Sequence, residues 1–585
     1  MVGTRRQPCT PMAGHRSMTD VGASSADLVI VNARVFVGGD PRRPQALPLG
    51  SRDGPAPPGS PTAVAVSAGR IAWVGLSRDA GAWRSPRTEV FDARGGLVTP
   101  GFEDAHLHFW MGALSLAQVD LQGADTVEDL AAILGRWRNE HPEASWVVGR
   151  GWHYGIFPSG MPDRALLDHL VPDRPALLEC FDAHTHWANS AALARAGVTA
   201  ESPDPARGTI ERDAAGEPTG ILKEFAHELF EGLIPTPSED ERAELARAAV
   251  ALAQRHGVTA VQDAWTDIDD LHRHARLRDG DVPGVRVRIA MPAEEADWSD
   301  GVDQGRRRWK DRLKRYRSEL TMVGPDAWLS GGIVKAFGDG VIETGTAWML
   351  GPYEGQDAGE RRIFGRPNWT ADGLAAMTAM AAEQGWQVEI HAIGDGAIRA
   401  ALDAHERAPS ARGRVEHIEW PDPADVPRFG RLGIVASMQP EHASPVPHKA
   451  AVRERWIGRR TERGWPWASI LRGGGVVAFG SDWPVATLDP LVHLRVAVTR
   501  TDDRGHPPGG WLPAERLTVA EALACATWGG AYAALAEDRR GTVEVGKAAD
   551  LVILDRDLLV EGATAIAGTT VQATISAGRV VYRAS

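Results

Sequence analysis

Across the middle of this chain, short apolar runs alternate with helical stretches, and that alternation leaves few folds open. Apolar runs end near Asp104, Phe181, Gln262, Val334, Ile390, Val415, Ser437 and Phe479. Between them, 242–256 and 371–385 carry amphipathic helical spacing and stop at Gly257 and Gly385. Apolar runs separated by helices build βα units on a parallel sheet. Eight of them predict an α/β fold, a (β/α)8 TIM barrel over 98–540. The interval 112–230 holds more than one such unit needs, so the spacing predicts an inserted subdomain beside the barrel mouth.

The two ends of the chain resemble each other. Ala26–Val37 and Ala63–Gly75 are β-rich, and the second run turns at Ser67-Ala68-Gly69-Arg70. The last strands, around Val571–Ile575 and Val580–Tyr582, are joined by the same tetrapeptide, Ser576-Ala577-Gly578-Arg579. Such turns mark β-hairpins, and isolated hairpins are marginal. The economical arrangement is one β-sandwich domain composed of 26–97 and 541–585, with the Pro/Gly-rich 40–61 as a surface loop. Residues 1–25 read as a flexible leader. Arg5 and Arg6 precede no apolar core of a signal peptide, and Met18 is an equally good start.

Composition narrows the function classes. A net charge of −13 argues against a general phosphate-backbone binder. The basic stretch Arg306–Lys310 has helical spacing and reads as a solvated helix face, so no nucleic-acid partner is expected. No segment approaches the roughly 18 to 20 apolar residues that span a bilayer. Three cysteines are too few for a disulfide framework or a thiolate zinc site, which fits a reducing, cytoplasmic setting. Most of the 21 tryptophans read as packing residues.

The chemistry is carried by histidines. His106 and His108 form an H-x-H pair, and residues two apart in a strand point to the same side, where both imidazoles can reach one metal ion. Asp182-Ala183-His184-Thr185-His186 holds a second copy, so the pair alone is a weak signal. Lys335, His391, His417 and Asp482 each follow an apolar run and precede a turn. In an α/β barrel those ends converge on the face that carries the site. Six polar residues in such positions are hard to explain by packing.

On these residues the chain resembles the metal-dependent amidohydrolase superfamily, and within it the family 3 branch of YtcJ-like proteins that includes N-substituted formamide deformylases. The likeness runs from Ala26 to the C-terminus. It includes Gly149-Arg150-Gly151-Trp152, Asp182-x-His184 with Asn189-Ser190, Pro218–Glu224, Asp339-Gly340, His391–Asp395, Glu416-His417, Gly480–Pro484 and Gly546–Leu551. The resemblance implies two divalent metal ions, zinc by preference. His106, His108 and Asp482 would hold one, and His391 and His417 the other. Lys335, carboxylated on Nζ, would bridge them. An ammonium cannot bind a cation, whereas the neutral amine can add carbon dioxide to become an anionic carbamate. An ordinary salt-bridged Lys335 stays open.

The implied reaction is hydrolysis of a carbon–nitrogen, amide-type bond in a small molecule, such as an N-formyl or N-acyl amine. Two metals about 3.5–4 Å apart bring the pKa of a bound water toward 7. Asp482 would act as general base and return the proton to the leaving nitrogen. Trp152 and His184 are candidate substrate contacts, and His186 reads as structural. Two alternatives remain: a deaminase of the same superfamily, with one metal and no need for the lysine, and an inactive scaffold, which the six retained ligands argue against. The resemblance extends to a homodimer, with no interface legible in the sequence.

Overall fold

Eight parallel strands form the central sheet of the computed structural model. In chain order they are β1 (Phe102–Leu107), β2 (Val258–Asp263), β3 (Arg286–Pro292), β4 (Leu329–Phe337), β5 (Gln387–Ala392), β6 (Arg414–His417), β7 (Val435–Met438) and β8 (Val476–Phe479). The structure describes residues 25–585 except 44–47, 49–50, 158–159, 182–183, 206–207, 281–283, 355–362 and 409–411. Apart from Ser25, the expected leader lies outside these residues. Each strand pairs in parallel with its successor from β1 to β8. β8 returns to β1 through its following turn, where the Asp482 N–H donates to His106 O at 2.7 Å. Seven of the eight strands are buried along their whole length, as expected of a parallel sheet covered by helices.

Helices pack around this sheet where their ends are capped. Glu239–Arg255 starts at Ser238, which forms a reciprocal capping box with Glu241. Ala371–Glu383 starts at Thr370, whose hydroxyl accepts the Gly373 N–H. Arg306, Arg307 and Lys310 lie on the exposed side of the helix Val302–Val323, the solvated face read from the sequence. Among the described residues no helix is long and apolar enough to cross a membrane.

One expected barrel strand is corrected. The apolar run ending near Phe181 forms Ala176–Cys180, which belongs to a separate six-stranded sheet spanning Val119 to Glu224. The strand that takes its place in the barrel is β3. Its sequence, Arg286-Val287-Arg288-Ile289-Ala290-Met291-Pro292, is fully buried yet carries two arginines, which hid it from an apolar pattern. Burial is tolerable because both guanidinium groups have partners. Arg286 pairs with Asp550 at 2.8 Å, and Arg288 donates to Gln387 Oε1 at 2.8 Å and to Ala533 O.

The chain ends build two further sheets, one of strands from both ends and one from the N-terminal end alone. Arg34–Val35, Leu97–Pro100, Leu551–Leu554, Val571–Ser576 and Arg579–Arg583 form one. Leu28–Val31, Ala63–Ser67, Arg70–Gly75 and Glu89–Asp92 form the other. Ile30, Val64 and Val66 of the second share a core with Leu551, Ile553 and Ile575 of the first. The two Ser-Ala-Gly-Arg turns touch tip to tip. Ala68, Gly69, Ala577 and Gly578 all have positive φ, as a two-residue hairpin turn of the twisted kind requires. A Cβ on Gly578 would come within 2.9 Å of Gly69 Cα.

Candidate metal centre

Closure of the barrel aligns the first site residues. His106 lies in β1, His108 just beyond it, and Asp482 in the turn after β8. Besides the bond from Asp482 N to His106 O, the His108 N–H donates to Trp483 O at 2.8 Å. Gly480 permits this approach, since a Cβ there would meet His106 N at 2.5 Å. On the neighbouring strands Lys335 pairs in register with Glu389, and His417 with Ala392 next to His391. His417 and Asp482 have φ of 72° and 59°, left-handed backbone that costs a non-glycine residue about 1–2 kcal/mol. Strain of that kind clusters where side chains must be aimed.

Six side chains therefore converge. His106 Nε2 and His108 Nε2 lie 3.6 and 3.4 Å from Asp482 Oδ1. Lys335 Nζ lies 3.5 Å from His106 Nε2. The His391 and His417 ring centroids are 4.5 Å apart, and those of His106 and His417 4.9 Å. The ring of His391 donates Nε2–H to Gly340 O at 3.2 Å, which leaves Nδ1 without a partner.

Burial sets the protonation states. It pushes His108 down to about 4 and His391 to about 3, with Lys335 adding to both. His106 and His417 fall well below the usual imidazole range, again chiefly through burial. Neutral imidazole is the metal-binding form. Burial lifts Asp482 to about 6, against the pull of His442 and Lys335. Lys335 is fully buried and makes no ion pair among the described residues, and its pKa is lowered by desolvation.

The residues present fit divalent cations. Asp482 Oδ1, His391 Nδ1 and His417 Nδ1 are buried without hydrogen-bond partners, which is costly unless an ion satisfies them. Single donor atoms of His106, His108 and Asp482 all lie within 4.8 Å of one another. Donors about 2.1 Å from one ion in tetrahedral array stand about 3.4 Å apart, close to the observed N–O separations.

A buried network supports these donors. His106 Nδ1 meets Glu416 Oε2 at 2.6 Å, and Arg414 clamps both Glu416 oxygens at 2.9 and 3.0 Å. Asp339 accepts N–H bonds from Trp348, Ile393 and Gly394, which pins the turn after His391. Burial raises its carboxyl to about 8. The sequence marks Glu416 only as part of the Glu416-His417 motif and does not mark Arg414, because charged residues on the inner face of a barrel look like surface ones. His442 carries no recognisable sequence signal either. It stands four residues beyond the end of β7, yet its Nε2 faces Asp482 Oδ2 at 3.7 Å.

The substrate candidates divide. Trp152 is fully buried in the core of the inserted sheet, edge-on to Trp187 and Phe157, and donates its indole N–H to Leu178 O. Its large apolar ring fills that core, and its indole N–H is already engaged there. His184 is partly exposed, pairs through Nδ1 with Glu224 at 2.8 Å, and is near enough to lower the basicity of His391. His186 is buried and stacks on His227 at 4.5 Å, a packing role.

The amidohydrolase family profile matches residues 89–582. The chain is 29% identical to the putative amidohydrolase YtcJ of Bacillus subtilis (strain 168), over 86% of its own length and 92% of the relative's. It is 30% identical to the N-substituted formamide deformylase of Arthrobacter pascens, over 85% of this chain and 90% of that one. In fold it is similar to an uncharacterized metal-dependent hydrolase from Pyrococcus horikoshii OT3, with a TM-score of 0.66 at 23% identity, covering 91% of this chain and 98% of that one.

Proposed function

This chain belongs to the amidohydrolase family of hydrolases, and on that premise we propose that it is a metal-dependent enzyme cleaving an amide-type carbon–nitrogen bond in a small molecule, of the N-formyl or N-acyl amine class. The observation that carries this reading is the gathering of neutral imidazoles about the buried Asp482 side chain, with Asp482 Oδ1, His391 Nδ1 and His417 Nδ1 left without hydrogen-bond partners. The relative that deformylates N-substituted formamides supports the substrate class.

In this proposal His106, His108 and Asp482 would hold one divalent cation, His391 and His417 would hold a second, and Lys335, carboxylated on Nζ, would supply anionic oxygen donors between them. When bound, a zinc pair supplies Lewis acidity toward water and the scissile carbonyl. The chain's own part is proton handling and orientation. Asp482 accepts the proton of the attacking water and delivers it to the leaving nitrogen, since an amine leaves poorly without one. Glu416 holds the His106 ring so that Nε2 faces inward. Lys335 favours carbamate formation because burial without an ion-pair partner stabilises its neutral amine. His184, oriented by Glu224, is the substrate contact carried forward.

A screen of N-formyl and N-acyl amines, with metal content measured on the same sample, tests the reading. Hydrolysis with about two equivalents of divalent metal supports it. Deamination of amidine-like rings with a single equivalent would replace it by the deaminase alternative.

A further inference from the structure

We propose that His442 is a further imidazole ligand of the second cation, beside His391 and His417. This inference rests on the reading that the centre binds divalent metal, and it adds a residue to that site.

The argument begins with Asp482, whose two oxygens face different histidines. Oδ1 faces Nε2 of His106 and His108 at 3.6 and 3.4 Å, and Oδ2 faces Nε2 of His442 at 3.7 Å. An imidazole and a carboxylate that hydrogen-bonded to each other would close to about 2.7–2.9 Å. The His442 separation instead approximates that of two donors sharing an ion. One atom from each of His417, His442 and Asp482 fits within 4.8 Å, the same criterion met by His106, His108 and Asp482. Asp482 therefore stands between two donor sets, with one oxygen toward each.

The surroundings of His442 share the layout of those of His106, with a longer outer contact. The inner nitrogen of each ring faces Asp482, and the outer nitrogen faces a buried carboxylate. For His106 that carboxylate is Glu416 at 2.6 Å, and for His442 it is Glu419 at 3.6 Å. A carboxylate behind an imidazole sets the tautomer and aims the ring at a metal. His442 Nε2 has no hydrogen-bond partner although the side chain is only 13% exposed. Its ring lies within 2° of parallel to that of His417. The backbone is held in place, since the His442 N–H donates to Gln439 O and Arg453 donates to the His442 carbonyl. The residue is thus oriented by its own framework.

The test is zinc content and affinity of the full-length protein, wild type against His442→Ala, after zinc loading and gel filtration. We expect about two zinc ions per wild-type chain and about one in the variant. Glu419→Gln, which leaves the ligand in place, should weaken the second zinc about 10- to 100-fold. Two tightly held ions in His442→Ala, with chelator release rates like the wild type, would overturn the assignment and leave the proposed hydrolase standing. A wild-type protein that binds no divalent metal would overturn both. A crystal structure of the zinc-loaded wild type decides the matter without substitution: Nε2 within about 2.1 Å of zinc supports the assignment, and a separation above about 3 Å ends it.

Discussion

The Nδ1 atom of His106 and the Oε2 atom of Glu416 lie 2.6 Å apart inside the barrel, and neither side chain touches solvent. The pair links β1 to β6 and leaves His106 Nε2 as the free, inward-facing nitrogen. Arg414 and the adjoining Glu389, 3.4 Å from it, balance the charge. The His106 ring is thus aimed by a buried Glu416–Arg414 pair shielded from solvent.

Replacing Glu416 by Gln should therefore weaken metal binding about 10- to 100-fold without abolishing folding. Arg414 keeps Glu389 as a counter-charge in the variant. Chelator competition on the purified variant measures the effect. Wild-type affinity would show that the contact does not orient the ring.

Asp482→Asn should lower turnover by about 10²–10⁴-fold, the usual contribution of a general base. Its backbone N–H still closes the barrel on His106 O, and Asn tolerates the φ of 59° at this position. His391→Ala should also lose orders of magnitude in turnover, through the lost donor. Circular dichroism of both variants should overlay the wild type. Retained activity in Asp482→Asn would remove it as the base.

Gly578→Ala should destabilise the terminal sheets by about 2–3 kcal/mol, since the added carbon meets Gly69 Cα at 2.9 Å and the residue needs a φ of 78°. Gly216→Ala is the control. It also has positive φ, but nothing lies within 4 Å, so about 1 kcal/mol is expected. Calorimetry of the two variants compares them, and equal losses would mean that the tip-to-tip contact contributes little.

His405 gives a pH dependence away from the centre. It is 1% exposed, bonds through Nε2 to Arg414 O at 3.1 Å, and is pushed by burial from 6.5 to about 4. The unfolded chain therefore takes up this proton at higher pH than the folded one. Its stabilising contribution is complete above pH 6.5 and is lost as pH falls toward 4. Over that interval the loss is about 3 kcal/mol. His405→Gln should flatten the acid limb of a stability profile by about that amount. Parallel limbs for variant and wild type would refute the assignment.

Local pattern made much of this protein legible. The helices 239–255 and 371–383 announce themselves by spacing and caps, and the two Ser-Ala-Gly-Arg turns mark hairpins whatever surrounds them. His106, Lys335, His391, His417 and Asp482 were found because each sits at or just past the end of a barrel strand, a position set by the chain immediately around it. β3 was hidden because its two arginines find partners remote in sequence, at Asp550, Gln387 and Ala533. The burial of Trp152 in the inserted sheet was not legible, because a motif records an amino acid and not the direction of its ring.

The amino-acid order alone thus dictated the βα alternation, the paired hairpins and the strand-end donors, since these depend on residues a few positions apart. Barrel closure decided the rest. It brought Glu416 behind His106, set Asp482 between two groups of imidazoles, and drew His442 in from a short 3-10 turn after β7. Those contacts join residues from 25 to 376 positions apart through burial and charge, and no local pattern encodes such distances.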